Sequence, residues 1–385
     1  MTVVSKQQKT KQTITITNLE KFTKMIQQAA SVACSKGIIP ILSCLKLDMK
    51  GGKMVVMGGD STKTICLGAT NIATSSGDVS LAIPAKTFAN LLSKLSTEEF
   101  KLEINDRIMT IRSKKAKYQI SLEDVNLYPE LRTESTKSIR VEISTVDLRS
   151  GLEKTLYACA VDDCLTILNG INFNMGEKGL ILTSTDRFRL SSVCIPDIEC
   201  NPFNTTIDEN ACKDIIDFLK NTNSEKVTMI ITESLFTITS AGAILIASSL
   251  EGIFPDVRTL LPKEVNHKVT FNKSDVLDSL SRIILFDRER EKKKARVYVD
   301  IGNDMKLSSS TQIGAALETI AIEREGEDIR LALSLPFMID TLKHIPSDRI
   351  RMDIEGPLRA VRFLPVSDNA IDTFGLVIPM RLEEG

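Results

Sequence analysis

TDRFRL, Thr185–Leu190, closes a short alternating run through Leu180, Leu182 and Ser184. The same arrangement occurs twice more: GGDSTKTI (Gly58–Ile65) follows Met54–Met57, and SSTQIGA (Ser309–Ala315) follows Met305–Ser308. Alternation of apolar and polar residues predicts a strand, so each stretch reads as the turn of a hairpin. All three follow an amphipathic helix at a matching distance. In the flanking copies the turn is small and polar, whereas Arg187, Phe188 and Arg189 stand here between an acid and a leucine. A structural turn needs no such charge, which marks TDRFRL as a candidate site.

Outward from it, the chain reads as one unit written three times. ITIT alternation predicts a strand over Thr13–Thr17, and Asn18 caps a helix with Leu19, Phe22, Ile26, Ala29 and Ala33 at helical spacing. Pro84 opens a second helix with Phe88, Leu91, Leu92 and Leu95 inward, followed by a hairpin, KLEIN, Asp106, IMTIRS. The order then repeats. Thr145 precedes a helix burying Leu148, Leu152, Leu156 and Cys159; Asp208 starts the next, with Ile215, Ile216 and Leu219; KVTMIITESLFTITS is its hairpin. The third round has Asn272 before Val276, Leu280 and Ile283, a helix from Pro336 with Ile339 and Leu342, and the hairpin RIRMDIEGPLRAVRF.

First-helix starts near residues 18, 145 and 273 give a period of roughly 127 residues, and second-helix starts near 85, 208 and 336 agree. The reading is a disordered tail over 1–12 and three domains, 13–135, 139–262 and 265–385, joined near Arg132–Arg140 and Pro262–Lys268. Helices paired with antiparallel strands in a fixed order give an α+β class. Such an array leaves two free sheet edges, expected at Lys117–Leu122 and around Arg296–Asp300, with Tyr118 and Ile120 packing against Leu285 and Phe286. Head-to-tail pairing of two chains through those edges closes a ring.

The bulk composition excludes several classes. With 49 basic and 50 acidic residues the net charge is -1, so any nucleic-acid contact must be a local patch. No apolar run has the length of a membrane span or a signal peptide, and the expectation is a cytoplasmic protein. The eight cysteines form no C-x-x-C pair and the two histidines lie far from them, which argues against zinc and a disulfide framework. Asp162, Asp163 and Cys164 lack an accompanying histidine and do not read as a metal or nucleophile site.

Six motifs then align in order. KGIIPIL (Lys36–Leu42), LYPEL (Leu127–Leu131), LNG (Leu168–Gly170), TDRFRL, EGIFPDVRTLLP (Glu251–Pro262) and VIPMRL (Val377–Leu382) together resemble the bacterial DNA polymerase III beta subunits, the sliding clamps, over residues 13–382. The resemblance implies the DNA clamp fold in a homodimeric ring, helices inside and sheets outside, that encircles double-stranded DNA without sequence specificity. It implies no enzymatic activity and no cofactor. The implied partners are the polymerase III catalytic subunit, the clamp loader and other proteins carrying a clamp-binding motif.

Carried over by position, the partner-peptide cleft between domains two and three comprises Leu168, Thr185, Arg187, Phe188, Arg189, Leu190, Pro255, Thr259, Leu260, Phe337, Leu358, Ala360, Leu376, Val377, Ile378, Pro379, Met380, Arg381 and Leu382. Basic residues on or beside the six helices, Lys21, Lys24, Lys36, Lys86, Lys94, Arg149, Lys154, Lys213, Lys220, Lys273, Arg282 and Lys343, would face DNA, and Lys117, Tyr118, Ile120, Leu285 and Phe286 would meet a second copy. From the residues alone the lysines fit a solvated helix face equally well, and Leu376–Ile378 an ordinary core strand. A monomeric peptide-binding module and a DNA-binding factor without topological linkage also stay open. Three features depart from the family: Arg187 and Phe188 where glycine and histidine are usual, the charged run Arg288–Lys294, and Glu383–Gly385 beyond the usual end.

Overall fold

The computed structural model of the chain describes residues 12–34, 39–95, 100–112, 116–131, 137–161, 163–286, 295–312, 314–366 and 372–382. The Arg288–Lys294 run, Lys36, Asp162, Glu383–Gly385 and the tail before Gln12 lie outside the described residues. Six α-helices are present among them: α1 (Leu19–Val32), α2 (Ala85–Lys94), α3 (Thr145–Thr155), α4 (Glu209–Asn221), α5 (Lys273–Ile283) and α6 (Leu335–His344). Each starts within one residue of its expected position.

Local chemistry explains the starts. The Asn18 side chain accepts a hydrogen bond from the Lys21 N–H at 3.0 Å, satisfying one of the orphan donors of α1. That helix buries Phe22, Met25, Ile26, Ala29 and Ala30, and Phe22 meets Phe88 and Phe100 edge-on at 6.1 and 6.0 Å. In α6 the buried stripe runs through Met338 and Leu342, leaving Ile339 only half-buried. Asp106 takes the hairpin turn with φ +55, a conformation that Asp tolerates better than most residues.

The chain divides into two compact units, Met1–Thr145 with Lys213–Ser249, and Val146–Cys212 with Leu250–Gly385. The first holds a five-stranded sheet, ordered Ala73–Ser75, Gln12–Ile16, Lys101–Asn105, Ile108–Arg112, Lys117–Ser121. It also holds an eight-stranded sheet in which Lys63–Thr70 pairs with Ala243–Ser248. The second holds a nine-stranded sheet in which Arg189–Ile195 pairs with Thr373–Val377, and a four-stranded sheet ordered Gly314–Ala321, Asp304–Thr311, Arg296–Ile301, Ile329–Ser334. All pairings are antiparallel, as an α+β fold with hairpin connections requires.

Three expectations are corrected here. Gln12 belongs to the first strand, opposite Ile104, and not to the tail. The linker readings are too long, because Ile139 and Arg140 already pair with Ile231 and Ile230, and His267 and Lys268 with Ile354 and Asp353. Arg296–Asp300 is no sheet edge: that strand is hydrogen-bonded on one side to Asp304–Thr311 and on the other to Ile329–Ser334. The terminal strands of that sheet are Gly314–Ala321 and Ile329–Ser334, and the first carries the more exposed side chains. Alternation reports which face a strand buries but not what lies beside it, so sequence periodicity could not separate an inner strand from an edge.

Candidate functional site

The TDRFRL turn is shaped by its aspartate. Asp186 Oδ1 accepts from the N–H groups of Phe188 and Arg189, both at 3.0 Å, and Arg187 between them takes φ +75. A non-glycine residue in that region costs about 1–2 kcal/mol, so the surroundings must hold it there. Arg187 N–H donates to Thr185 Oγ1, and the Arg187 guanidinium pairs with Asp163. Asp163 is itself fixed, accepting from the Leu165 N–H at 2.9 Å while its own N–H donates to Asn169. The carboxylate raises the Arg187 pKa above the ordinary guanidinium value, so the side chain is a permanent cation.

Phe188 and Arg189 point at α6. The Phe188 ring, 54% exposed, stacks on Phe337 at 6.4 Å, and the Arg189 guanidinium lies 4.6 Å from the centre of the Phe337 ring and 5.4 Å from Tyr157. Arg189 also donates from Nε to Asp186 at 3.1 Å and from Nη1 to Asp340 at 2.7 Å. Tyr157 continues the stack onto His344, 4.4 Å away. Burial pushes the Tyr157 hydroxyl pKa up, so the phenol stays neutral.

The C-terminal segment completes the site. Leu376 lies opposite Leu190 and Val377 opposite Arg189; beyond the strand, the Ile378 N–H donates to the Phe188 carbonyl at 2.9 Å and the Met380 N–H to the Ala332 carbonyl at 2.7 Å. The result is one groove with two limbs sharing Leu260, Ala360 and Ile378. The narrow limb adds Thr185, Arg187, Arg189, Leu190 and Leu376; the wider one, about 290 Å³, adds Thr259, Leu261, Pro262, Lys263, Glu355, Leu358 and Arg359. An apolar floor of leucines, isoleucine and alanine thus carries charge around its rim.

Ten of the expected cleft residues line this groove. Of the others, Phe188 and Phe337 flank it as a stack, while Pro379 and Met380 are half-buried and Arg381 and Leu382 exposed in the segment that follows. Val377 is turned away: alternation along the strand puts it in the core with Val361, Phe363 and Met338. Leu168 packs with Ala160, Ile167, Leu250 and Phe254 instead, and Pro255 is exposed nearby in the chain. Leu261 and Pro262 sit inside a motif the sequence already singled out, and Asp163 lies in the Asp162–Cys164 stretch that does not read as a site; Glu355, Arg359 and Asp340 carry no local signal.

The basic residues of the helices divide into kinds. Lys21, Lys86, Lys94, Lys213, Lys220 and Lys343 are exposed on α1, α2, α4 and α6, and Lys24, also exposed, pairs with Glu20 one turn away at 2.7 Å. Lys21, Lys24 and Lys220 line a wide groove of about 640 Å³ within the first unit. Arg149 and Lys154 are half-buried, and burial lowers the Lys154 pKa. Lys273 spends its ammonium on the Ile345 carbonyl at 3.0 Å, and Arg282 is held by Glu318 through two contacts of 2.7 and 2.8 Å. At the proposed contact surface Ile120 is buried, Lys117 and Tyr118 are exposed on an edge strand, Leu285 is 74% exposed and Phe286 is half-buried.

Against known families, residues 13–132, 142–256 and 258–381 match the N-terminal, central and C-terminal domains of the DNA polymerase III beta subunit. The chain belongs to the DNA polymerase III beta subunit family. It is 25% identical over 375 residues to the beta sliding clamp of Bacillus subtilis strain 168, covering 94% of this chain and 98% of that one. It is 24% identical over 355 residues to the Staphylococcus aureus beta sliding clamp, covering 89% and 92%. The fold matches the crystal structures of the Bacillus subtilis sliding clamp (TM-score 0.89, 23% identity) and the Thermotoga maritima beta subunit (0.88, 21%), each covering 97% of this chain and 100% of the other. Sliding clamps of this family are non-enzymatic processivity factors of DNA replication, and so is this beta subunit. Among its described residues no His, Cys, Asp or Glu cluster could hold a metal, and no helix is long and apolar enough to cross a membrane.

Proposed function

We propose that two copies of this beta subunit form a ring of six domains, three from each chain, around duplex DNA and hold replication proteins by short peptides seated in the Leu190–Leu260–Ile378 groove. The observation that supports this reading is the match to the three domains of the DNA polymerase III beta subunit along nearly the whole chain. Two exposed strand edges, Lys117–Ser121 and Gly314–Ala321, supply surfaces for self-pairing. Exposed lysines on four helices suit phosphate contacts without base readout.

The groove suits a peptide with two neighbouring hydrophobic residues beside a polar one such as glutamine. Burying two or three apolar side chains at roughly 1.5–3 kcal/mol each, less the cost of ordering the peptide, gives affinity in the micromolar range. Deleting Met380–Gly385 removes the hydrogen bond from Met380 to Ala332 that follows the groove residue Ile378. Fluorescence polarisation with a labelled peptide of that type is expected to show binding to the full chain and none to the truncated one. Unchanged binding by the truncation would place the peptide elsewhere.

A further inference from the structure

The chain makes the same joint twice, once in each unit. In the first, Lys63–Thr70 runs against Ala243–Ser248 with Lys63 opposite Ala247; in the second, Arg189–Ile195 runs against Thr373–Val377 with Arg189 opposite Val377. Each turn ahead of the joining strand is held by an aspartate. Asp60 Oδ1 accepts from Thr62 and Lys63 N–H at 2.7 and 2.9 Å, as Asp186 does from Phe188 and Arg189. The cation three residues after that aspartate then reaches the sixth residue of a helix further on. Lys63 pairs with Asp214 of α4 and Arg189 with Asp340 of α6, and both pairs span 151 residues. The side chains of Lys63, Asp214 and Arg189 are each only 13% exposed.

The third hairpin carries neither charge. Register places Ser310 opposite Ala315 as it places Gly59 opposite Thr64 and Thr185 opposite Leu190. Thr311 therefore stands at the position of Asp60 and Asp186, and Gly314 at that of Lys63 and Arg189. The strand that Gly314 begins has no outer neighbour among the described residues, and Leu317 on it is 67% exposed. The sixth residue of α2, the helix matching α4 and α6, is Asn90. The edge strand Lys117–Ser121 follows α2 through a hairpin, as Ala243–Ser248 follows α4.

We infer that two copies meet through a third version of this joint lacking its ion latch, with Gly314 of one copy facing Asn90 of the other where the internal joints set a cation against an aspartate. The inference rests on the two-copy ring proposed above. A shielded ion pair fixes register, and separating it leaves buried charge without a partner. Burial raises the Asp214 pKa even with Lys63 beside it, so a lone carboxylate at such a position is disfavoured. The joint between copies can part without that penalty, whereas parting the first internal joint separates two ions that are each 13% exposed, and parting the second takes from Arg189 one of its two carboxylates, leaving it Asp186.

The test is a double-mutant cycle on the full chain, with the self-association constant read by sedimentation equilibrium. Asn90→Asp and Gly314→Lys are each expected to weaken the dimer by placing an unpaired charge in the joint. Together they should recover at least about tenfold over the product of the single effects, because close interfacial charges couple strongly. If circular dichroism shows that Gly314→Lys alone does not fold, the reversed pair Asn90→Lys with Gly314→Asp is read in the same way. Additive effects in a dimeric parent would overturn the latch inference while leaving the ring intact. A parent that stays monomeric at every concentration would sink the ring and this inference with it.

Discussion

Replacing Arg189 by Ala is expected to destabilise the unit containing Val146–Cys212 and Leu250–Gly385 by about 3–5 kcal/mol, the usual cost of removing one partner from a buried charge network. Arg189 is 13% exposed and Asp186 only 5%, so the aspartate cannot recover its lost partner from bulk water. The guanidinium also covers Phe337 and Tyr157, contacts worth roughly 0.5–2 kcal/mol each when desolvated. Peptide binding in the groove should fall with it, since Arg189 lines the narrow limb. Arg189→Lys should recover part of the stability but not the stacking, because an ammonium lacks the planar fork. Asp340→Ala should cost less, its side chain being 43% exposed. Urea denaturation of the three variants decides the order; equal midpoints for parent and Arg189→Ala would remove the network from the account.

The second large effect is expected at Gly58, which lies where the α1 backbone approaches the Lys53–Gly59 strand. A Cβ built there falls 2.1 Å from the Ala29 carbonyl oxygen and 2.9 Å from Leu45 Cδ2. Overpacking a core ordinarily costs about 1–3 kcal/mol, and a clash with backbone cannot be relieved by a rotamer change, so Gly58→Val should exceed about 3 kcal/mol. Gly77 is the control: its Cβ would meet nothing within 4 Å and its φ is not positive, so Gly77→Ala should stay within about 0.5 kcal/mol. Thermal midpoints of the two variants test this; similar shifts would mean that α1 does not pack as closely as described. The equivalent residue in the second copy, Ser184, instead hydrogen-bonds the Thr155 carbonyl, so the same position is filled in one repeat and empty in another.

Much of this was legible in the sequence because helices announce themselves locally. Asn18, the Phe22–Ile26–Ala29 stripe and Pro84 each act within one or two turns, and the three-fold recurrence of such signals fixed all six helices. The TDRFRL turn stood out for the same reason. Lateral relations were not legible. Arg296–Ile301 alternates like an edge strand yet is paired on both sides, and Val377 sits in an apolar run whose alternate members face opposite ways. The partners of the turn, Asp163 and Asp340, are 24 and 151 residues from the arginines they hold. No local pattern encodes such a distance. The repeat does encode it, however, once Lys63 and Asp214 are set beside Arg189 and Asp340, since both pairs share one spacing.

The central claim is that DNA is held by topology, and one measurement tests it directly. The chain is loaded on a nicked circular duplex, and salt is raised until ordinary phosphate contacts fail, as they must when condensed counterions no longer gain by release. The DNA is then cut once. A ring stays on the intact circle and runs off the cut one, and that is the predicted result. Equal release from the circular and the linear DNA would contradict it.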